Sequence, residues 1–183
     1  WSKDFPLGRQ VALVGDAELD EGNIYECLQE GWKHDLRNTW WIIDYNRQSL
    51  DGVVHEGLWE KIDAIFKAFD WRTVVLRHGV LQREAFKEPG GEALKEWIQS
   101  CPNMDYSALT YKGGAAWRKR LMNDIGDQGD VSKLLDKRSD EELDALMNNL
   151  GGQCLTTLTE AFDSITDDET AVFLAYTIKG WGT

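Results

Sequence analysis

The chain has 183 residues, 42% hydrophobic and 28% charged, and a formal net charge of −12. This length and balance suit one soluble globular domain with a hydrophobic core and exclude a disordered chain. The acidic excess argues against nucleic acid as the main partner, because phosphate backbones are held by clustered Lys and Arg. It leaves open a small phosphorylated ligand whose charge is met by a metal ion.

The three cysteines, Cys27, Cys101 and Cys154, are far apart and form no CxxC pair, so a reduced, cytoplasmic setting is expected. No apolar run approaches membrane-spanning length, and no basic-then-apolar signal segment is seen. The chain opens on Trp1 rather than Met and stops at TIKGWGT. The expectation is a piece of a longer protein.

In chain order, Gln10 to Val14 (QVALV) is a short apolar run bounded by Gly8 and Gly15, which predicts a buried strand. The polar stretch GDAELDEGN leads into a helix with Ile24, Cys27, Leu28, Gly31 and Trp32 on one face. Asp20 and Glu21 near its start suit the positive end of the helix dipole. Thr39 to Asp44 (TWWIID) reads as a second strand, with Trp40 and Trp41 in the core, and the loop YNRQSLDG follows. Leu58, Ile62, Ile65, Phe66 and Phe69 mark an amphipathic helix. Thr73 to Arg77 (TVVLR) is a third strand. Strand–helix–strand–helix–strand order predicts an α/β domain: a parallel sheet with right-handed crossovers, flanked by helices.

From about residue 81 to 150 the sequence predicts a helical insertion without strands. Its best helices are Glu92 to Gln99, Ala115 to Asn123 and Asp140 to Leu150, with Gly113 and Gly114 as a turn. Ser139 and Glu142 have capping-box spacing. Leu155, Leu158, Ala161, Phe162 and Ile165 form a further helical stripe, and Ala171 to Tyr176 (AVFLAY) the last strand.

Ligands of open parallel sheets bind beyond the carboxyl ends of the strands. Three polar loops fall there: GDAELDE, YNRQSLDG and TIKGWG. Asp16 offers a carboxylate at one strand end, and Asn46, 30 residues on, offers an amide oxygen at another. With one loop carbonyl these would hold magnesium through hard oxygens without filling its shell, leaving room for a diphosphate. The helix start would turn N–H groups toward the anion. A Gly-Asp pair after a strand is also a common turn and cap, and Asn a common turn residue, so it is the pairing at crossover spacing that carries information. His34, His55 and His78 are too scattered for a metal set.

GDAELDEGN and IIDYNRQSLDG resemble the two halves of the thiamine diphosphate motif, as found in transketolases and in homodimeric pyruvate dehydrogenase decarboxylating components. The resemblance extends over nearly the whole chain, and DWRTVV, the helical insertion and TIKGWG favour the dehydrogenase. It implies thiamine diphosphate and Mg2+ as cofactors. Asp16, Asn46 and the main-chain carbonyl of Gln48 would be the metal ligands, Gly15 and Ala17 would lie against the diphosphate, and Lys179 would lie close to the cofactor. Read without the resemblance, Lys179 is a solvated loop lysine. The resemblance makes residues 1–183 a partial pyrophosphate-type domain with the insertion inside it. It implies partners in the remaining domains of the same polypeptide, in a second copy as a homodimer, and in a lipoyl-bearing acyltransferase. No catalytic residue is assigned within the chain, because the family's catalytic glutamate lies in another domain, so the isolated piece is expected to be inactive. The sequence departs from the motif at Ala17, where Gly is usual, at Asp44 and Tyr45, and at Arg47. These keep two alternatives in view: a transketolase-like ketol transferase and a non-catalytic binding module of the same fold.

Overall fold

A computed structural model describes residues 8–46, 48–49, 52–53, 57–166 and 168–180. Four strands build the main sheet: β1 (Gln10–Gly15), β2 (Thr39–Tyr45), β5 (Arg72–Leu76) and β6 (Ala171–Tyr176), all parallel, in the order β1-β2-β6-β5. Between β2 and β5 a short antiparallel pair, β3 (Gln48–Ser49) and β4 (Gly52–Val53), occupies the second half of the loop predicted after the second strand and runs one residue past it. The α/β class and all four main strands agree with the sequence reading, with ends moved by one residue at most. β6 is buried along its full length, as expected for a central parallel strand covered on both faces.

Helices α1 (Gly22–Lys33) and α2 (Leu58–Ala68) fill the first two connections. The second behaves as its pattern predicts, with Ile62 and Phe66 buried and Leu58, Ile65 and Phe69 packed against the same core. The first does so only in part. Leu28 is buried, but Cys27 is exposed and Trp32 is 58% exposed, so Trp32 is not the core residue expected. Its indole N–H donates to the Asp70 carboxylate at 2.9 Å, which satisfies the ring at the rim of the sheet. The chain also does not pass straight from β1 into α1. Asp16–Asp20 form a 3-10 turn, and the helix begins only at Gly22.

The insertion holds α3 (Val80–Ala85), α4 (Gly91–Ser100), α5 (Asn103–Lys112), α6 (Gly114–Ile125), α7 (Val131–Asp136) and α8 (Asp140–Met147). Three of these match the predicted helices, although α8 stops at Met147 because Leu150 turns away to bridge His78. Gly113 makes the predicted turn between α5 and α6 at φ +78°, a region only glycine enters freely. The buried residues of the insertion, among them Leu94, Trp117, Leu121, Leu135 and Leu143, form one cluster with Val14, Ile43, Val172 and Leu174 of the sheet. Arg118 fastens the corner between α7 and α8. It donates to the Asp140 carboxylate at 2.6 Å and to the carbonyls of Leu135 and Arg138 at 2.8 and 2.6 Å.

At the start of α8 the predicted capping box is complete. Ser139 Oγ accepts from the Glu142 N–H at 3.2 Å, and Glu142 accepts from the Ser139 N–H at 2.8 Å. Ser139→Ala is expected to cost about 1 kcal/mol, read as a lower urea midpoint with an unchanged slope.

The other face of the sheet is covered by α9 (Leu155–Asp163) alone among the described elements. Trp40, Phe162 and Phe173 pack there with ring centroids 5.0–5.5 Å apart. Leu155, expected in the buried stripe, is 80% exposed. The helix leaves β1 bare on this face, with Val11 54% and Leu13 79% exposed. Among the described residues no helix is long and apolar enough to cross a membrane, and none of the three cysteines forms a disulfide.

Candidate functional site

The parallel register sets the geometry of the site. Gly15 of β1 pairs with Asp44 of β2, and Asp44 pairs with Ala175 of β6. Neighbouring strands run about 4.8 Å apart, so the three polar turns leave the sheet side by side at its carboxyl edge. Asp16 follows Gly15 directly, and Asn46 lies just past the end of β2. The 3-10 turn that begins at Asp16 lies against both β2 and β3, and β3 opens with Gln48. The segments carrying Asp16, Asn46 and Gln48 are therefore brought to one place. Asp16 is only 4% exposed, an uncommon position for a carboxylate, which water holds more readily than protein interior does.

The donor types fit a hard divalent cation. Among the described residues no group of three or more His, Cys, Asp and Glu side chains could hold a metal. The candidate set does not depend on one, because it contains a single carboxylate, an amide and a main-chain carbonyl, a mixture that suits magnesium completed by phosphate and water. Gly15 and Ala17 flank Asp16, and both are partly buried. The Glu18 side chain folds back to within 3.7 Å of where a Cβ on Gly15 would stand. Lys179 is exposed in the turn after β6. Arg47, His55 and Trp181–Thr183 lie outside the described residues.

A fourth turn joins this edge, and the sequence reading passed over it. Gly151–Gln153 form a 3-10 turn pressed onto the ends of β5 and β6. A Cβ on Gly151 would meet the Leu76 carbonyl oxygen at 2.3 Å, and one on Gly152 the Tyr176 carbonyl oxygen at 2.7 Å. Only glycine permits that approach. The signal was the Gly-Gly pair after α8, which reads as an ordinary helix end. The Gln153 amide oxygen is buried here, with no hydrogen-bond partner among the described residues.

Among the described residues hollows open at the carboxyl edge on both faces of the sheet, and two of them adjoin the turns after β1, β2 and β6. The larger, about 560 Å³, is lined on the α9 side by Leu13, Gly15, Glu18, Asp44, Gly152 and Thr177 among others. The smaller, about 200 Å³, lies on the insertion side between Tyr45, Arg77, Tyr176 and Cys101. Another hollow of about 360 Å³ sits at the opposite, amino-terminal edge. Its charged groups already satisfy one another: Arg37 bonds Asp35 and Asp168, and Arg72 bonds Glu169. That edge lies away from the turns after β1, β2 and β6, so the carboxyl edge remains the candidate.

The two described histidines, His34 and His78, lie in separate surroundings. His34 is exposed beside Glu30 at 3.4 Å. His78 shares a 2.7 Å hydrogen bond with Gln82, and burial holds its pKa below the ordinary histidine value. Burial acts to raise the Cys154 thiol, but hydrogen bonds from Thr157, the Val80 N–H and Asn149 outweigh it, so the thiol lies below its usual value.

No family model matches the chain. Curated relatives do. The pyruvate dehydrogenase E1 component of Corynebacterium glutamicum is 27% identical over 175 residues, 93% of this chain and 18% of the relative. That of Escherichia coli K12 is 27% identical over 184 residues, covering 98% and 20%. That of Pseudomonas aeruginosa is 25% identical over 184 residues, covering 97% and 20%. The chain resembles one part of the pyruvate dehydrogenase E1 component. It spans about a fifth of the length of these E1 components. The likeness runs through both turns that carry Asp16 and Asn46 and through the whole helical insertion, since it covers nearly all of the chain.

Proposed function

We propose that the chain is the thiamine diphosphate- and magnesium-binding portion of a 2-oxo acid dehydrogenase decarboxylating component, acting on pyruvate. The observation that carries this reading is the placement of Asp16 and Asn46 beyond adjacent parallel strands, in a chain similar to E1 components along almost its whole length.

In this reading residues 1–183 are a partial pyrophosphate-type domain, with residues 81–150 as an insertion within it. Asp16 supplies the charged ligand to the cation. Asn46 supplies an amide oxygen, and Gln48 a main-chain carbonyl. Gly15 and Ala17 line the path of the diphosphate, and Lys179 offers a positive charge from the third turn. Burial of Asp16 strengthens its attraction for a cation, because fewer waters compete. When bound, the coenzyme supplies electron-sink chemistry for cleaving the bond beside a 2-oxo carbonyl. The chain's own part is to anchor and orient the diphosphate end. The groups that act on the reacting carbon belong to the remaining domains of the polypeptide and to a second copy in a homodimer. The acyl product passes to a lipoyl-bearing acyltransferase, and the protein works in the cytoplasm. The 183-residue chain alone is inactive in decarboxylation.

Two other readings stay distinguishable. A transketolase-like ketol transferase is favoured by Asp44, which the dehydrogenase motif more often has as Asn. A non-catalytic module of the same fold is favoured by Ala17 in place of the motif's glycine.

Tryptophan fluorescence of the chain is the direct test. Thiamine diphosphate is expected to quench it saturably with Mg2+ present and far more weakly with EDTA. No saturable change under either condition supports the non-catalytic module.

A further inference from the structure

Asp44 links two of the turns at the carboxyl edge. One of its carboxylate oxygens accepts from the Asn46 side-chain N–H at 3.2 Å. The other accepts a short hydrogen bond from the Thr177 hydroxyl, 133 residues further along the chain. The main chain reinforces both links: the Asn46 N–H donates to the Asp44 carbonyl at 3.1 Å, and the Thr177 N–H to the Tyr45 carbonyl at 3.3 Å.

The chemistry of the pair removes an ambiguity that an Asn side chain usually carries. An amide has a donor edge and an acceptor edge, and either can be turned to a mixed partner. A carboxylate only accepts. Facing Asp44, the Asn46 amide must present its nitrogen, and its oxygen is then held on the other edge. An Asn at position 44 would lift that restriction, since it could donate to the Asn46 oxygen equally well. Thr177 begins the turn that carries Lys179, so the same carboxylate also fixes where that turn leaves β6.

We propose that Asp44 is a positioning residue of the site: it sets which edge of Asn46 faces a metal ion and ties the Thr177–Gly180 turn to the end of β2. This rests on the proposed cofactor reading, in which Asp44 acts through Asn46 and Thr177 rather than as a ligand to the cation. Partners that orient a metal ligand in this way typically change metal affinity about 10–100-fold when removed.

The experiment uses two readouts on the 183-residue chain. Mn2+ binding in the presence of thiamine diphosphate is followed by electron paramagnetic resonance, and the Asn46 side-chain amide is followed by 15N NMR without ligand. Asp44→Ala is expected to weaken Mn2+ binding about 10-fold or more, with the unliganded chain still folded and melting cooperatively. Asp44→Asn, which keeps the hydrogen bonds but not their direction, is expected to fall between Asp44→Ala and wild type. In Asp44→Ala the two Asn46 NH2 resonances shift away from their wild-type positions. Wild-type Mn2+ affinity in Asp44→Ala overturns the proposal, and so do Asn46 resonances that stay in place. A wild-type chain that takes up no Mn2+ overturns the cofactor reading instead, and the Asn46 resonances then still decide whether Asp44 holds that amide.

Discussion

Asp16→Asn is expected to abolish magnesium-dependent binding of thiamine diphosphate, weakening it by more than about 100-fold, while the unliganded fold survives. The size follows from the composition of the set. Asp16 is its only charged ligand, so an amide at this position leaves the cation with neutral oxygens alone against a diphosphate. Loss of an orienting partner already costs about 10–100-fold in metal sites, and loss of the charged ligand must exceed that. The substitution keeps the shape of a side chain that is 4% exposed, so packing is not the variable. Isothermal titration with thiamine diphosphate at saturating Mg2+ reads the affinity, and far-UV circular dichroism checks the fold. Affinity within threefold of wild type would remove Asp16 from the site and the metal geometry with it.

The second large effect is on stability. Trp117→Ala should destabilise the chain by ~3–5 kcal/mol, in the range of large aromatic truncations in cores. Trp117 is fully buried at the centre of the insertion, with the Tyr106 ring 4.8 Å away and the Trp97 ring 6.1 Å away, both edge-on. Tyr106 is itself fixed by a 2.6 Å hydrogen bond to the Met147 carbonyl, so the neighbours cannot collapse freely into the space. The indole N–H of Trp117 is buried without a hydrogen-bond partner among the described residues, and a donor so placed is costly to keep. Trp117→Phe removes that donor while retaining a ring, and is expected to cost less than half as much. Guanidinium unfolding of the two variants checks the order. Equal losses would mean that contacts peculiar to the indole, not the volume a ring fills, set the cost.

The sheet was legible because each main strand is an apolar run with polar or glycine-marked ends, and because crossover helices of the right length separate the first three. Asp16 and Asn46 could be placed at one edge from that alone, since parallel strands all end on the same side. What the sequence could not show was contact across long separation. The position of β6 between β2 and β5 is a choice among sheet orders that local pattern does not make. The Asp44–Thr177 hydrogen bond depends on that order, because it exists only where β2 and β6 are neighbours. The Gly151–Gln153 turn was missed for the same reason, since its glycines are required by the backbones of Leu76 and Tyr176 rather than by anything nearby in sequence. Helical periodicity located the inward stripes of α1 and α9 but not where the cover over them ends. Trp32 and Leu155 fall beyond that limit, and both emerge at the surface.

Among the described residues β1 stands at the edge of the sheet with Leu13 exposed, which bears on how copies of this chain meet in solution. QVALVG carries no charge and no proline, the devices by which sheet margins ordinarily discourage intruding strands. A formal surplus of twelve negative charges adds a like-charge repulsion that slows unspecific meetings of copies, without barring a partner surface shaped to cover Leu13. That repulsion is only as long-ranged as the surrounding electrolyte allows, about 10 Å at 0.1 M salt.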